Sequence, residues 1–253
     1  MFDLTGRTVL IAGASSGIGA GFARTVAAAG ARVVLGARRL DRVEALASEL
    51  QAAGGTALPV ALDVTSETSV VAAYDAAEAA FGTVDGIVAN AGVGTGGRST
   101  DTTFEGVKGV LDTNLLGTYL VSREGARRLI AAGSRDKGNG RIVLIGSITA
   151  EQNWSGDAMY AATKIGLAHL ARQFAKEWIR QGINVNTIQP GMIPTEINVE
   201  WYATERGQAD ILAQHRRRLM EEDSLDDMLL YLLSDRSRQV TGATFTIDDG
   251  QSL

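Results

Sequence analysis

Short apolar runs punctuate the chain, and longer stretches with apolar residues three or four apart lie between most of them. Runs at residues 8–12, 31–35, 57–62, 84–89, 141–145, 183–188 and 243–247 are rich in aliphatic and β-branched side chains, as buried strands are. The intervening stretches read as helices. One ends at Ala29, one covers 41–53 and stops at Gly54-Gly55, and one is capped by Thr65 or Ser66 and runs to Phe81. A long helical region follows over 102–132, then a helix around Tyr160 that Gly182 stops, and a short one over 224–233. Residues 134–140 read as a polar surface loop, and 192–218 are mixed in character. Strands that alternate with helices predict an α/β fold. The expected form is one doubly wound sheet of about seven parallel strands, with helices on both faces and residues 1–253 in a single domain.

In such a sheet, ligands bind beyond the carboxyl ends of the strands. The first strand runs into Gly13-Ala14-Ser15-Ser16-Gly17-Ile18-Gly19 and then a helix. Glycines let the backbone approach a pyrophosphate, and a helix start supplies free N–H groups and the positive end of its dipole. Gly13, Ser15, Ser16, Gly17, Ile18 and Gly19 are therefore candidate dinucleotide contacts, and the fold expected is Rossmann-type. The spacing is Gly-x-x-x-Gly-x-Gly, not the commoner Gly-x-Gly-x-x-Gly. The second strand leads into Gly36-Ala37-Arg38-Arg39. An acid near this point binds the ribose 2′-hydroxyl of NAD, whereas an arginine suits a 2′-phosphate. Arg38 and Arg39, with no acid beside them, favour NADP(H) over NAD(H), unless they are only helix-start surface charges.

Ser147 stands where the fifth strand ends, and Tyr160 follows in an Ala-rich helical segment. Lys164 lies four residues beyond Tyr160, on the same helix face. A lone Tyr-x-x-x-Lys pair is usually a solvated helix face. Here a hydroxyl at a strand end faces it, which suggests proton transfer. The serine could hold a carbonyl or hydroxyl oxygen beside the phenol. A nearby ammonium would lower the tyrosine pKa from its ordinary value near 10. Segment 192–218 follows a strand end and carries Trp201 and Tyr202, so it is a candidate lid, with mobility expected from Ile197 to Gln214. Ile148, Trp154, Met192, Trp201 and Tyr202 outline a largely apolar substrate pocket.

Composition narrows the field. A net charge of −5 and a pI near 5.2 argue against nucleic-acid binding. The chain has no cysteine, which excludes thiol chemistry and fits a cytoplasmic protein. No apolar run reaches the 18 or so residues of a membrane span. Neither His169 nor His215 has the partners of a metal site, so no metal is expected.

The chain resembles the short-chain dehydrogenase/reductases of about this length. The motifs are Gly13-x-x-x-Gly17-Ile18-Gly19, Asp63-Val64, Asn90-Ala91-Gly92, Asn114, Ser147, Tyr160-x-x-x-Lys164 and Pro190-Gly191-x-x-x-Thr195, in that order. The resemblance implies that Tyr160 is the general acid or base and that Ser147 orients the substrate oxygen. It implies that Lys164 binds the nicotinamide ribose and that Asn114 supports Lys164 through a water. Asp63 and Val64 would contact adenine, Asn90 would support the ribose region, Ile193 and Thr195 the nicotinamide carboxamide, and Ala91, Gly92, Pro190 and Gly191 would be further cofactor contacts. It further implies a homo-oligomer, with a tetramer favoured, whose interfaces use the helices around Asn114 and Tyr160. Three departures stand out: Ala12 where threonine is usual, Ala89 where asparagine is usual, and Asp249 where glycine is commoner. The expected activity is hydride transfer between NADP(H) and a small carbonyl or secondary alcohol. The alternatives are an NAD-preferring relative and a dinucleotide-binding sensor without turnover. The epimerase/dehydratase branch has a different glycine loop and an added substrate domain, and this chain has neither.

Overall fold

The computed structural model describes residues 2–196 and 198–253. The strands are β1 (Thr8–Ala12), β2 (Arg32–Ala37), β3 (Thr56–Ala61), β4 (Gly86–Ala89), β5 (Gly140–Ile145), β6 (Ile183–Pro190) and β7 (Thr244–Ile247). They form one seven-stranded sheet in the order β3-β2-β1-β4-β5-β6-β7. Every neighbouring pair is parallel. The doubly wound sheet expected from the sequence is the one observed.

Side chains alternate across each strand, and two cores result. Val9, Ile11, Val33, Leu35, Val143 and Ile145 point to one face. There they meet α1 (Gly17–Ala28), α2 (Leu40–Ala52) and α10 (Asp226–Leu233) through Phe22, Val26, Leu46, Leu50, Leu229 and Leu233. Leu10, Val34, Ile142 and Leu144 point to the other face. They pack on α3 (Glu67–Phe81), α5 (Thr118–Ala131) and α7 (Ala158–Trp178) through Tyr74, Val121, Leu129, Leu167 and Phe174. Ser66 caps α3 by accepting from the Ser69 N–H.

Two elements differ from the sequence expectation. The helical region over 102–132 is α4 (Phe104–Val110), a π-helical stretch (Leu111–Gly117) and α5. Close packing there needs a glycine: a Cβ on Gly117 would lie 2.6 Å from Val64 Cγ2. Residues 134–140 are not simply a surface loop. Ser134–Lys137 form a helical turn, α6, and the buried Ser134 hydroxyl donates to the Gln181 carbonyl at 2.6 Å.

The chain turns from one half of the sheet to the other between β1 and β4. The crevice there, beyond the strand ends, is where this fold places ligands.

Candidate active site

A cavity of about 1160 Å³ opens beyond the carboxyl ends of β1, β2, β4, β5 and β6. It can hold a dinucleotide and a small second molecule. At one end, Gly13, Ser15, Ser16, Gly17 and Ile18 form the turn between β1 and α1. Gly13 has φ +86°, and a Cβ there would strike Ala91 Cα at 2.7 Å, so only glycine fits. The Asn90 side-chain amide donates to the Gly13 carbonyl at 3.0 Å and fastens this loop to the end of β4. Gly19 lies behind the loop, where a Cβ would lie 2.1 Å from the Gly13 oxygen. It therefore shapes the turn without lining the cavity.

Ala37 ends β2 at the cavity wall, where an acid would stand in an NAD site. Arg38 is exposed beside it and makes no side-chain hydrogen bond or ion pair with the described residues. Arg39 is engaged. It donates to Ser15 Oγ at 2.9 Å, Ser16 Oγ at 2.7 Å and Glu196 Oε2 at 3.0 Å. Asp63 and Val64 line the wall after β3. Asp63 Oδ1 accepts from the Thr65 N–H and hydroxyl, and these bonds hold its carboxyl below the usual range. Ala91 and Gly92 continue the floor after β4.

At the other end, β5 delivers Ser147 and α7 delivers Tyr160 and Lys164. The Ser147 hydroxyl stands beside the half-buried Tyr160 phenol and favours its ionised form, but desolvation dominates and pushes the phenol up to about 12. Burial lowers the Lys164 amine to about 8. Lys164 Nζ donates to the Ile145 carbonyl at 2.8 Å and lies 5.3 Å from the centre of the Tyr160 ring. The amine thus gives one hydrogen bond to the backbone, and desolvation is the largest influence on the phenol.

Asn114 does not line the cavity. It is fully buried in the π-helical stretch, where its oxygen accepts from the Val93 N–H at 2.8 Å. Its amide donates to the Val93 carbonyl at 2.9 Å and to Thr163 Oγ1 at 3.2 Å. It thus clamps the strand-end loop to α7 from behind, one residue from Lys164.

Pro190, Gly191, Met192, Ile193 and Thr195 border the cavity after β6, as do Ile148 and Trp154 after β5. Trp201 and Tyr202 reach it from the short helix α8 (Val199–Tyr202), with Arg206, Asp210 and Gln214 from α9 (Glu205–Ala213) and its end. Ile148, Met192, Tyr202 and Ile211 pack together as a small apolar cluster under this wall. Ile197, with which the expected mobile segment begins, lies outside the described residues. The C-terminal residues brace this wall: Gln251 Oε1 accepts from the Met192 N–H at 2.6 Å, and Asp249 pairs with Arg216 and Arg218. Asp249 has φ +54°, which explains why glycine is the easier residue there.

Sequence reasoning missed Asp157. It precedes α7 at φ +58°, and its Oδ1 accepts from the Thr95 N–H at 3.0 Å and the Thr95 hydroxyl at 2.7 Å. The loop over 94–97 is thereby tied to the start of the tyrosine helix. Glu196 and Arg42 were missed as well. The signal for all three was weak, because each depends on a partner distant in sequence. Among the described residues, no group of His, Asp or Glu is arranged to hold a metal ion.

Residues 7–206 match the model of the short chain dehydrogenase family. This chain belongs to that family. D-threitol dehydrogenase of Mycolicibacterium smegmatis is 32% identical over 100% of this chain and 95% of its own length. L-rhamnose 1-dehydrogenase (NAD(P)(+)) of Azotobacter vinelandii is 36% identical over 98% and 97%. Among solved structures, a candidate NAD(P)-dependent gluconate 5-dehydrogenase from Beutenbergia cavernae, with NADP at low occupancy, superposes with a TM-score of 0.90. It is 31% identical and covers 99% of this chain and 98% of its own. The chain is thus an oxidoreductase of alcohol or carbonyl groups, from a family that binds nicotinamide dinucleotides. No helix among the described residues is long and apolar enough to cross a membrane.

Proposed function

We propose that this short-chain dehydrogenase moves a hydride between NADP(H) and a small carbonyl or secondary alcohol, with Tyr160 as the general acid or base. The observation that carries this reading is the meeting of Ser147, Tyr160 and Lys164 at the end of one cavity whose other end is the glycine turn. The cradle fits a dinucleotide, since Gly13 leaves no room for a side chain and the first turn of α1 offers unpaired N–H groups. When bound, the nicotinamide supplies or accepts the hydride.

The chain's own residues do the rest. Tyr160, protonated across the neutral range, gives its proton to the carbonyl oxygen in reduction and takes it back in oxidation. Ser147 hydrogen-bonds the same oxygen. Lys164 holds the ribose near Tyr160, and Asn114 keeps α7 in register with the loop after β4. Ile148, Trp154, Met192, Trp201 and Tyr202 surround the substrate, and segment 192–218 acts as a lid within a single catalytic domain. Fixed geometry supplies much of the rate. A homotetramer and a cytoplasmic location complete the reading.

Cofactor choice gives the direct test. Ala37 cannot hold the ribose hydroxyls of NAD, and Arg38 is free to pair with a 2′-phosphate. A charge-assisted hydrogen bond contributes about 1.5–3 kcal/mol, so NADPH should be preferred over NADH by on the order of ten- to a hundredfold. Ala37→Asp with Arg38→Leu should reverse the order. Comparison of kcat/KM with both cofactors on one substrate checks this. A parent enzyme more efficient with NADH would defeat the NADP reading.

A further inference from the structure

One carboxylate joins the start of the lid to the cofactor end of the cavity. Glu196 follows Thr195 in the loop after β6 and lines the cavity with Ser15, Ser16, Arg38 and Arg39. Its Oε2 accepts from Arg39 at 3.0 Å, and its Oε1 accepts from Arg42. The Arg39 guanidinium also spans the two serine hydroxyls of the glycine turn. A single carboxylate is thus held between two guanidinium groups at the mouth of the 2′ side of the site. Arg39 and Arg42 hold its carboxyl below the usual range, so it is ionised at neutral pH. The three side chains are 44%, 43% and 50% exposed, so water reaches the network and its partners can exchange.

A ribose 2′-phosphate is an anion that seeks the same donors. It cannot share two guanidinium groups with a carboxylate without like-charge repulsion. We propose that Glu196 is a specificity-determining residue whose carboxylate competes with the 2′-phosphate for Arg39 and Arg42. This rests on the dinucleotide reading of the glycine turn and goes beyond it. Arg38 is the uncontested cation, while Arg39 and Arg42 become available only when Glu196 lets go. Glu196 therefore lowers the discrimination that three neighbouring arginines would otherwise give. It also links the phosphate to the lid: a 2′-phosphate releases the start of segment 192–218, and a cofactor without one leaves the clasp closed.

The test separates the phosphate from the nicotinamide. Dissociation constants for 2′,5′-ADP and 5′-AMP are measured by calorimetry on the parent and on Glu196→Gln, which keeps the size and removes the charge. Exposed ion pairs of this kind predict that 2′,5′-ADP binds on the order of three- to tenfold tighter to the variant, with 5′-AMP unchanged within about twofold. Adding Arg42→Met should remove most of that gain. Unchanged 2′,5′-ADP affinity, or equal tightening of both ligands, would overturn the role of Glu196. The outcome is independent of the parent's preference. A parent that favours NADH, with a variant that tightens on 2′,5′-ADP alone, sinks the NADP reading and keeps this one. A parent that favours NADPH, with an inert variant, does the reverse.

Discussion

Tyr160 holds its proton tightly because packing at the cavity wall strips water from part of the phenol and disfavours the phenolate. A phenol held near 12 is an acid through the neutral range, which suits carbonyl reduction. The sign of the pH dependence follows. Reduction needs the protonated phenol, so its kcat/KM should be flat near neutrality and fall toward the alkaline limit. Oxidation needs the phenolate and should rise with pH over the same range. Tyr160→Phe should lower turnover by on the order of 10²- to 10⁴-fold and leave cofactor affinity nearly intact, measured by steady-state rates and cofactor titration. Turnover within a few-fold of the parent would refute the assignment. The residue types and spacing of Ser147, Tyr160 and Lys164 were legible in the sequence. The electrostatic balance among them was not, because it depends on how much water the packed site admits and on the Ile145 carbonyl that takes up the amine. Asp157 was invisible for a similar reason: its backbone conformation and its grip on Thr95 exist only once α7 and the loop after β4 are side by side.

Periodicity read the long elements well and the irregular ones poorly. Strand β1 and the helices packed on it follow the apolar pattern closely, since each buries one continuous face. The π-helical stretch around Asn114 has no such signature. Its contacts are the approach of Gly117 to Val64 and the Asn114 bonds, all made across the fold. The wall after β6 was legible only as a mixed segment. In the structure α8 and α9 are short, Val199 and Leu212 are 52% and 61% exposed, and Trp201 stacks beneath Arg206 at 5.5 Å. Few apolar contacts anchor its outer surface, so it should open locally with little free energy. Hydrogen exchange should show residues 199–214 poorly protected without ligand and slowed on addition of NADP and a substrate analogue. Equal exchange in both states would refute the lid.

At the scale of the whole molecule, the alternation of apolar side chains across the sheet accounts for two cores, one on each face, and the sequence pattern foretold that much. Apolar side chains also remain outside. Leu111, Leu116, Tyr119 and Ile165 are 38%, 45%, 38% and 57% exposed on the π-helical stretch, α5 and α7. Exposed apolar side chains on mutually packed helices suit an interface between copies. Ile165→Asp should therefore shift the protein to smaller species in sedimentation velocity at micromolar concentration. An unaltered tetramer would place the interface elsewhere, and a parent that sediments as a monomer would end the oligomer reading.

The bracing of Met192 by Gln251 has a consequence for how the protein is made. A chain leaving the ribosome presents the glycine turn, the β4 end and the Ser147–Tyr160 pair well before residue 251. The wall against the substrate, by contrast, awaits Gln251 and the Asp249 pairs with Arg216 and Arg218. A chain that stops short of residue 249 should therefore keep the residues of the glycine turn and lose the brace on the substrate wall.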